Sequence, residues 1–221
     1  IVPSFSVGRT QELVYLLNKI FLAEKAPRIP VYVDSPLSVN ATEIFRLHPE
    51  CFDFETSQFL LKNKDPFGFG MLTYITDVED SKELNSHSGP FMIISSSGMA
   101  EAGRILHHLA NNIDNPNNIV LIVGYSAEHT LGRKIVEREP VVKIFGEEHN
   151  LKAEIVVMNS LSAHADSNEL IDYCNKLDKS RMQNLFLVHG DFDQQEKFKQ
   201  RLNSIGYKNV TIPERGEIFK L

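Results

Sequence analysis

Two histidines stand where an α/β protein places reactive groups. His164 lies in Leu161-Ser162-Ala163-His164-Ala165-Asp166 and His189 in Leu187-Val188-His189-Gly190-Asp191. Each sits at the end of a stretch that reads as a strand and ahead of one that reads as a helix. Imidazole titrates near neutral pH, so such a residue can shuttle a proton, and its neutral form ligates zinc. A single strand-end histidine is more often structural. Two of them, each with an aspartate two residues on, leave the structural and the chemical role both open. The other six histidines are weaker candidates. His107 and His108 are adjacent on a helical stretch, so they point in different directions and cannot form an i,i+4 metal pair. His48, His87, His129 and His149 sit in polar surroundings and read as surface residues, although His129 precedes the helix that carries Arg133 and is within reach of a ligand there.

A second constellation is made of small polar turns. Asp34-Ser35, Ser95-Ser96-Ser97-Gly98 and Gly124-Tyr125-Ser126 each close a strand just before a helix. Free backbone N–H groups and the helix dipole favour anions at such turns, and the anion suggested is a phosphate. Arg104 and Arg133 lie in the helices that follow. Taken singly, each turn is an ordinary helix cap. Three on one edge of an open parallel sheet make a ligand-binding edge.

The elements that must position these residues follow from the hydrophobic pattern. Thr10–Glu24 carries Leu13, Leu16, Leu17, Ile20 and Phe21 at helical spacing. Val31–Asp34, Phe91–Ile94 and Ile119–Val123 are short apolar strands. Ser35 suits an N-cap and Pro36 the first helical position. Helices are expected from about Met99 to Ala110 and from about Thr130 to Arg138. Such alternation predicts a doubly wound parallel sheet covered on both faces, with right-handed crossovers. Cys51–Thr76, rich in Phe and Lys, reads as a helix plus a loop. Near residue 140 the texture changes. Val141–Phe145 and Ala153–Met158 read as paired strands with Glu147–Leu151 as the loop between them. Helices over Ser167–Leu177 and Gln194–Ile205, a strand over Leu185–Val188 and a last strand at Val210–Ile212 or Glu217–Lys220 complete the chain. A boundary near residue 152 divides it into 1–152 and 153–221.

The 221 residues, 42% hydrophobic and 24% charged, suffice for one large domain or two small ones. No apolar run approaches the roughly 20 residues that span a bilayer, and the start of the chain has no secretory pattern. Two distant cysteines, Cys51 and Cys174, suggest no disulfide framework and a reducing, cytoplasmic setting. The net charge of −6 argues against broad, non-specific coating of nucleic acid but leaves room for a local basic cleft. No His-x-His-x-Asp-His, His-Glu-x-x-His, Walker loop or Gly-x-Ser-x-Gly is present. Gly68-Phe69-Gly70 lacks the third glycine and the preceding strand of a dinucleotide fingerprint.

The stretch Ile1-Val2-Pro3-Ser4-Phe5-Ser6-Val7-Gly8-Arg9-Thr10-Gln11-Glu12-Leu13 resembles the opening of the β-CASP domain, which is inserted into the metallo-β-lactamase fold of RNA-processing nucleases. The resemblance continues in order through Asp34-Ser35-Pro36-Leu37, Ser96-Ser97-Gly98-Met99, Gly103-Arg104-Ile105-Leu106, Gly124-Tyr125, Gly132-Arg133, Ser162-Ala163-His164-Ala165-Asp166 and Val188-His189-Gly190-Asp191. It implies a β-CASP domain over 1–152 and, over 153–221, the C-terminal segment of an αββα metallo-β-lactamase fold. In such enzymes two zinc ions activate a hydroxide that attacks a phosphodiester of RNA. By this resemblance His164 contacts the scissile phosphate and acts as general acid, Ser162 helps hold that phosphate, and His189 ligates one zinc. Ser97, Gly98, Arg9, Arg104 and Arg133 of the lid domain would hold RNA phosphates.

The segment with the His-x-His-x-Asp-His loop is missing, and one histidine cannot make a site of about four ligands. The chain by itself is therefore expected neither to bind two zincs nor to cleave RNA, the N-terminal half of the catalytic domain being its first partner and RNA its second. The family is often dimeric, but nothing in this sequence identifies an interface. Two other readings stay open. One is a zinc-independent module that binds RNA or phosphate with both histidines as spectators. The other is a nucleotide-handling α/β enzyme of another family, which the missing glycine fingerprint disfavours. Neither the choice between internal and 5′-end cleavage nor activity on DNA follows from the sequence.

Overall fold

The central strands are apolar on both faces, so each face must find a cover. In the computed structural model, which describes residues 1–158, 160, 161 and 165–219, both do. The chain divides into two compact units, Ile1–Ser162 and Ala163–Leu221.

In the first unit, β2 (Val31–Asp34) is flanked in parallel by β3 (Leu72–Ile75) and β4 (Met92–Ser95), and β1 (Val2–Pro3) pairs in parallel with β4. Alternation along the strands sorts the core. Val31, Val33 and Ile94 pack with Leu13, Val14 and Phe21 of α1 (Arg9–Leu22). Tyr32 and Ile93 face the other way, with Ile75, Leu84 and Phe91. Farther along, β5 (Ile119–Ile122) pairs in parallel with β8 (Glu154–Val157). Val120, Ile122 and Ile155 pack against α5 (Arg104–Asn112) and α6 (Leu131–Val136). The remaining helices are α2 (Pro36–Leu47), α3 (Phe54–Asn63) and α4 (Val78–Glu83). The doubly wound parallel arrangement expected from the sequence is present.

Ile1 joins the two groups of strands. Its nitrogen donates to the Ile119 carbonyl at 2.7 Å and its carbonyl accepts from the Leu121 amide at 2.8 Å. The strand order is thus β3-β2-β4-β1-β5-β8. In this register the next donor toward β5 would be residue 3, a proline without an N–H, so among the described residues the seam rests on these two main-chain bonds.

Three expectations need correction. The stretch 51–76 holds not only α3 and a loop but also β3. This is a four-residue edge strand with Thr73 exposed, too short and too mixed to read as an apolar run. The fifth helix starts at Arg104, not Met99. Residues 97–103 form a loop in which Ala100 has φ 55° and Gly103 φ 86°, both outside helical geometry. Finally, Glu147–Leu151 is not a loop. β6 (Val141–Ile144) pairs antiparallel with β7 (Glu147–Asn150), while β8 goes to β5. Phe145 and Gly146, at φ 53° and 84°, make the two-residue turn whose twist suits a tight hairpin.

The second unit contains α7 (Ser167–Asn175), β9 (Leu185–Phe186), α8 (Phe192–Ser204) and β10 (Val210–Thr211). β9 and β10 are parallel. Ile171, Cys174, Leu202, Tyr207 and Val210 form its core. The Arg201 guanidinium of α8 donates to Ser167 Oγ and Asn168 Oδ1, both at 2.6 Å, tying it to the start of α7. Among the described residues no helix is long and apolar enough to cross a membrane.

Gly103 is required twice over, by its positive φ and because an added Cβ would lie 2.4 Å from the Ser96 carbonyl oxygen. Gly103→Ala is expected to cost ~2–4 kcal/mol in chemical denaturation, combining left-handed strain with overpacking. Gly70→Ala, where the new Cβ meets nothing within 4 Å, is expected to change stability by less than about 1 kcal/mol.

Candidate functional site

Parallel strands end together, so the turns after β1, β2 and β4 share one edge. Their serines meet there. Ser35 Oγ lies 2.8 Å from Ser96 Oγ and 3.4 Å from Ser6 Oγ, a row of three hydroxyls drawn from three turns. Ser35 is also the N-cap of α2, accepting from the Ser38 amide at 3.2 Å, with Pro36 following as the sequence predicts. Buried Gln11 steadies the row from below. Its Nε2 donates to Thr42 Oγ1 at 2.9 Å and to the Ser6 carbonyl at 3.2 Å.

Beside the row, Ser97 Oγ accepts from the Glu101 and Ala102 amides at 3.0 and 3.2 Å. A hydroxyl that accepts twice keeps its proton for donation to a ligand. Gly98 lets this loop lie against Phe5, since a Cβ there would come within 2.9 Å of the ring. The third expected turn behaves differently. Ser126 is buried under α6, and the Leu131 amide at the start of that helix already donates to Glu101 Oε1 at 2.6 Å. The protein's own carboxylate thus fills the position where an external anion was expected.

Beneath the row lies Asp34, whose side chain is fully excluded from solvent. Its Oδ1 accepts from Arg104 Nη1 at 2.6 Å, and its Oδ2 from Ser81 Oγ at 2.5 Å and His108 Nε2 at 2.6 Å. Its backbone carbonyl accepts from Ser95 Oγ at 2.7 Å. A carboxylate only accepts, so His108 carries its proton on Nε2. His108 Nδ1 is buried without a hydrogen-bond partner among the described residues. Burial pushes the Asp34 pKa up, but hydrogen bonds from His108, Ser81 and Arg104 outweigh it and hold the carboxyl below its ordinary value. Sequence reasoning missed this centre. The available signal was an aspartate closing an apolar strand, opposite a helix bearing Arg104 and His108 one turn apart.

The arginines divide. Arg104 has both terminal nitrogens engaged internally, Nη1 on Asp34 and Nη2 on the Thr76 carbonyl at 2.6 Å. Arg9 pairs with Glu12 one turn on, and Arg133 Nε donates to Glu137 at 2.6 Å. Both pairs lie on single helices; the Arg133–Glu137 pair is exposed on both sides, where such pairing is weak and exchangeable, whereas the Arg9 side chain is mostly covered and only Glu12 is well exposed.

In the second unit His189 is exposed, in the turn between β9 and α8, at φ 63°. Asp191 is the N-cap residue of α8. His164 and Ser162 lie outside the described residues. Asp166 makes a capping box with Glu169, accepting from the Asn168 and Glu169 amides at 2.7 and 2.9 Å. Those amides hold its pKa low. Among the described residues no three His, Cys, Asp or Glu groups could hold a metal ion.

Comparison with known proteins agrees with this architecture. Residues 10–135 match the Beta-Casp domain, and residues 148–213 match the Zn-dependent metallo-hydrolase RNA specificity domain. A ribonuclease of Thermus thermophilus is 35% identical over 191 residues, 86% of this chain and 43% of that protein. A transcription termination factor of Methanosarcina mazei is 27% identical over 97% of this chain and 34% of its own length. An RNase J-like protein of Methanocaldococcus jannaschii is 27% identical over the full chain and 50% of its own length. The chain thus spans half or less of the relatives it matches.

The low pKa of Asp34 has a stability consequence. A carboxyl whose folded pKa is depressed stabilises the fold fully above its ordinary 3.8, and that contribution is lost as pH falls through the folded value. Asp34→Asn is expected to cost ~3–5 kcal/mol at pH 7, because it leaves the part-buried Arg104 without its counter-charge and the buried His108 and Ser81 donors without an anionic acceptor. In urea titrations the gap between variant and wild type should narrow below about pH 4. A gap independent of pH would show that Asp34 is not ionised in the fold.

Proposed function

Because the chain belongs to the β-CASP family, we propose that it forms the lid and the closing segment of a zinc-dependent ribonuclease. The row Ser6–Ser35–Ser96, with the donor Ser97 beside it at the carboxyl edge of a parallel sheet, is the observation that carries this reading. Hydroxyls gathered at strand ends suit the oxygens of a phosphodiester. The match of 148–213 to a domain described by zinc-dependent hydrolysis and RNA specificity points the same way, as does a relative named as a ribonuclease.

In this reading Ser97 donates to an RNA phosphate, Gly98 keeps the loop low enough for the backbone to approach, and Arg9 and Arg133 exchange their surface glutamates for phosphate. Arg104, already committed inside, holds the edge in shape. His164 protonates the leaving oxygen and Ser162 steadies the scissile phosphate. His189 supplies one zinc ligand in the complete protein, with the remaining ligands outside this chain. The two free cysteines, Cys51 and Cys174, fit a reducing cytoplasmic setting.

The test uses protein expressed from the complete reading frame. His164→Ala is expected to lower RNA cleavage by roughly a hundredfold or more, the usual worth of a general acid, with RNA binding and zinc content retained. His189→Ala is expected to lower both cleavage and zinc content. A metal-free, inactive but RNA-binding complete protein would replace this reading with that of a binding module.

A further inference from the structure

Asp34 is costly. A buried, fully hydrogen-bonded carboxylate typically adds no more stability than apolar residues of the same volume would. Its partners show what it fixes instead. Arg104 and His108 come from α5, Ser81 from α4, and the Ser95 hydroxyl of β4 reaches its backbone carbonyl. Arg104 extends the network to the Thr76 carbonyl just after β3. The ends of β2, β3 and β4 are thereby tied to one residue.

That residue is adjacent to the hydroxyl row on both sides. The next residue along the chain is Ser35. Arg104 directly follows Gly103, where an added Cβ would lie 2.4 Å from the Ser96 carbonyl oxygen, so the two backbones run close together. The 2.8 Å separation of Ser35 Oγ and Ser96 Oγ therefore depends on where one carboxylate holds two turns. We propose that Asp34 is a positioning residue for RNA, setting the spacing of the Ser35–Ser96 hydroxyls through Arg104 and His108 without touching the ligand. This inference rests on the ribonuclease reading above.

The test compares variants in the complete protein, with single-stranded RNA as substrate, at a temperature below every unfolding midpoint. Asp34→Asn and His108→Leu are each expected to raise KM for RNA by roughly three- to tenfold, about the worth of one net hydrogen bond. kcat should stay within about twofold, the pattern of lost uniform binding. His108→Gln, whose amide places a donor near the lost Nε2, is expected to keep KM close to wild type. Asn18→Ala is the control for mere destabilisation. Asn18 is equally buried and lies within hydrogen-bond distance of the Asp65, Pro66 and Gly68 carbonyls, away from the edge. It should lower Tm and leave KM unchanged.

If KM is unchanged in both Asp34→Asn and His108→Leu while Tm falls, Asp34 is structural only and the proposal is overturned. The same holds if His108→Gln raises KM as much as His108→Leu. Should Asp34→Asn not fold, the two His108 variants decide. A wild-type protein that neither binds nor cleaves RNA overturns the ribonuclease reading itself, a result read before any variant is made.

Discussion

A carboxylate sealed from water dictates much of the first unit's design. Asp34 closes the second strand at the edge where a solvated aspartate would be expected, yet it is covered completely. In the dry interior its charge is tolerated only with a full set of donors. Three side chains from two helices provide them. The demand fixes where α4 and α5 approach the sheet, and with them the loops that open each helix. The hydroxyl row above is the visible consequence.

Close backbone approach is the second constraint. The loop after β4 packs against the turn after β1 at Gly98, against itself at Gly103, and against α6 at Gly132. At Gly132 a Cβ would lie 2.8 Å from the Met99 carbonyl oxygen. Glu101 completes the arrangement by capping α6 with its own carboxylate. An edge built this way leaves little room where its turns meet. Sterics and internal hydrogen bonds hold its turns together. The seam at Ile1 is lighter by comparison. Two main-chain bonds carry it, because Pro3 removes the next donor.

The second unit is small, and its core of five buried residues is organised by two helices over two short parallel strands. Its start is fixed by a capping box and by Arg201 reaching back to Ser167 and Asn168. His189 rides on a left-handed turn at the exposed end of β9. Such a turn gives an imidazole a defined direction at the cost of local strain.

The sequence by itself determined the class of fold and the order of its main elements. Short apolar strands alternating with helices, and caps such as Ser35 before Pro36, are local signals, and local physics reads them. The ordered motifs from Ile1 to Asp191 likewise identified the family. Tertiary structure alone decided the rest. Whether β8 pairs with β6 or β5, whether Leu72–Ile75 is an edge strand, and whether Phe145-Gly146 can turn a hairpin depend on partners distant in sequence or on positive φ at a phenylalanine. The same holds for the site. That Arg104 would pair with Asp34 and the Thr76 carbonyl, and that Asp166 would cap a helix with Glu169, could not be read from their places in the sequence. A charged side chain has the same letter in water and in the core, and only the packing around it decides which neighbours complete its hydrogen bonds.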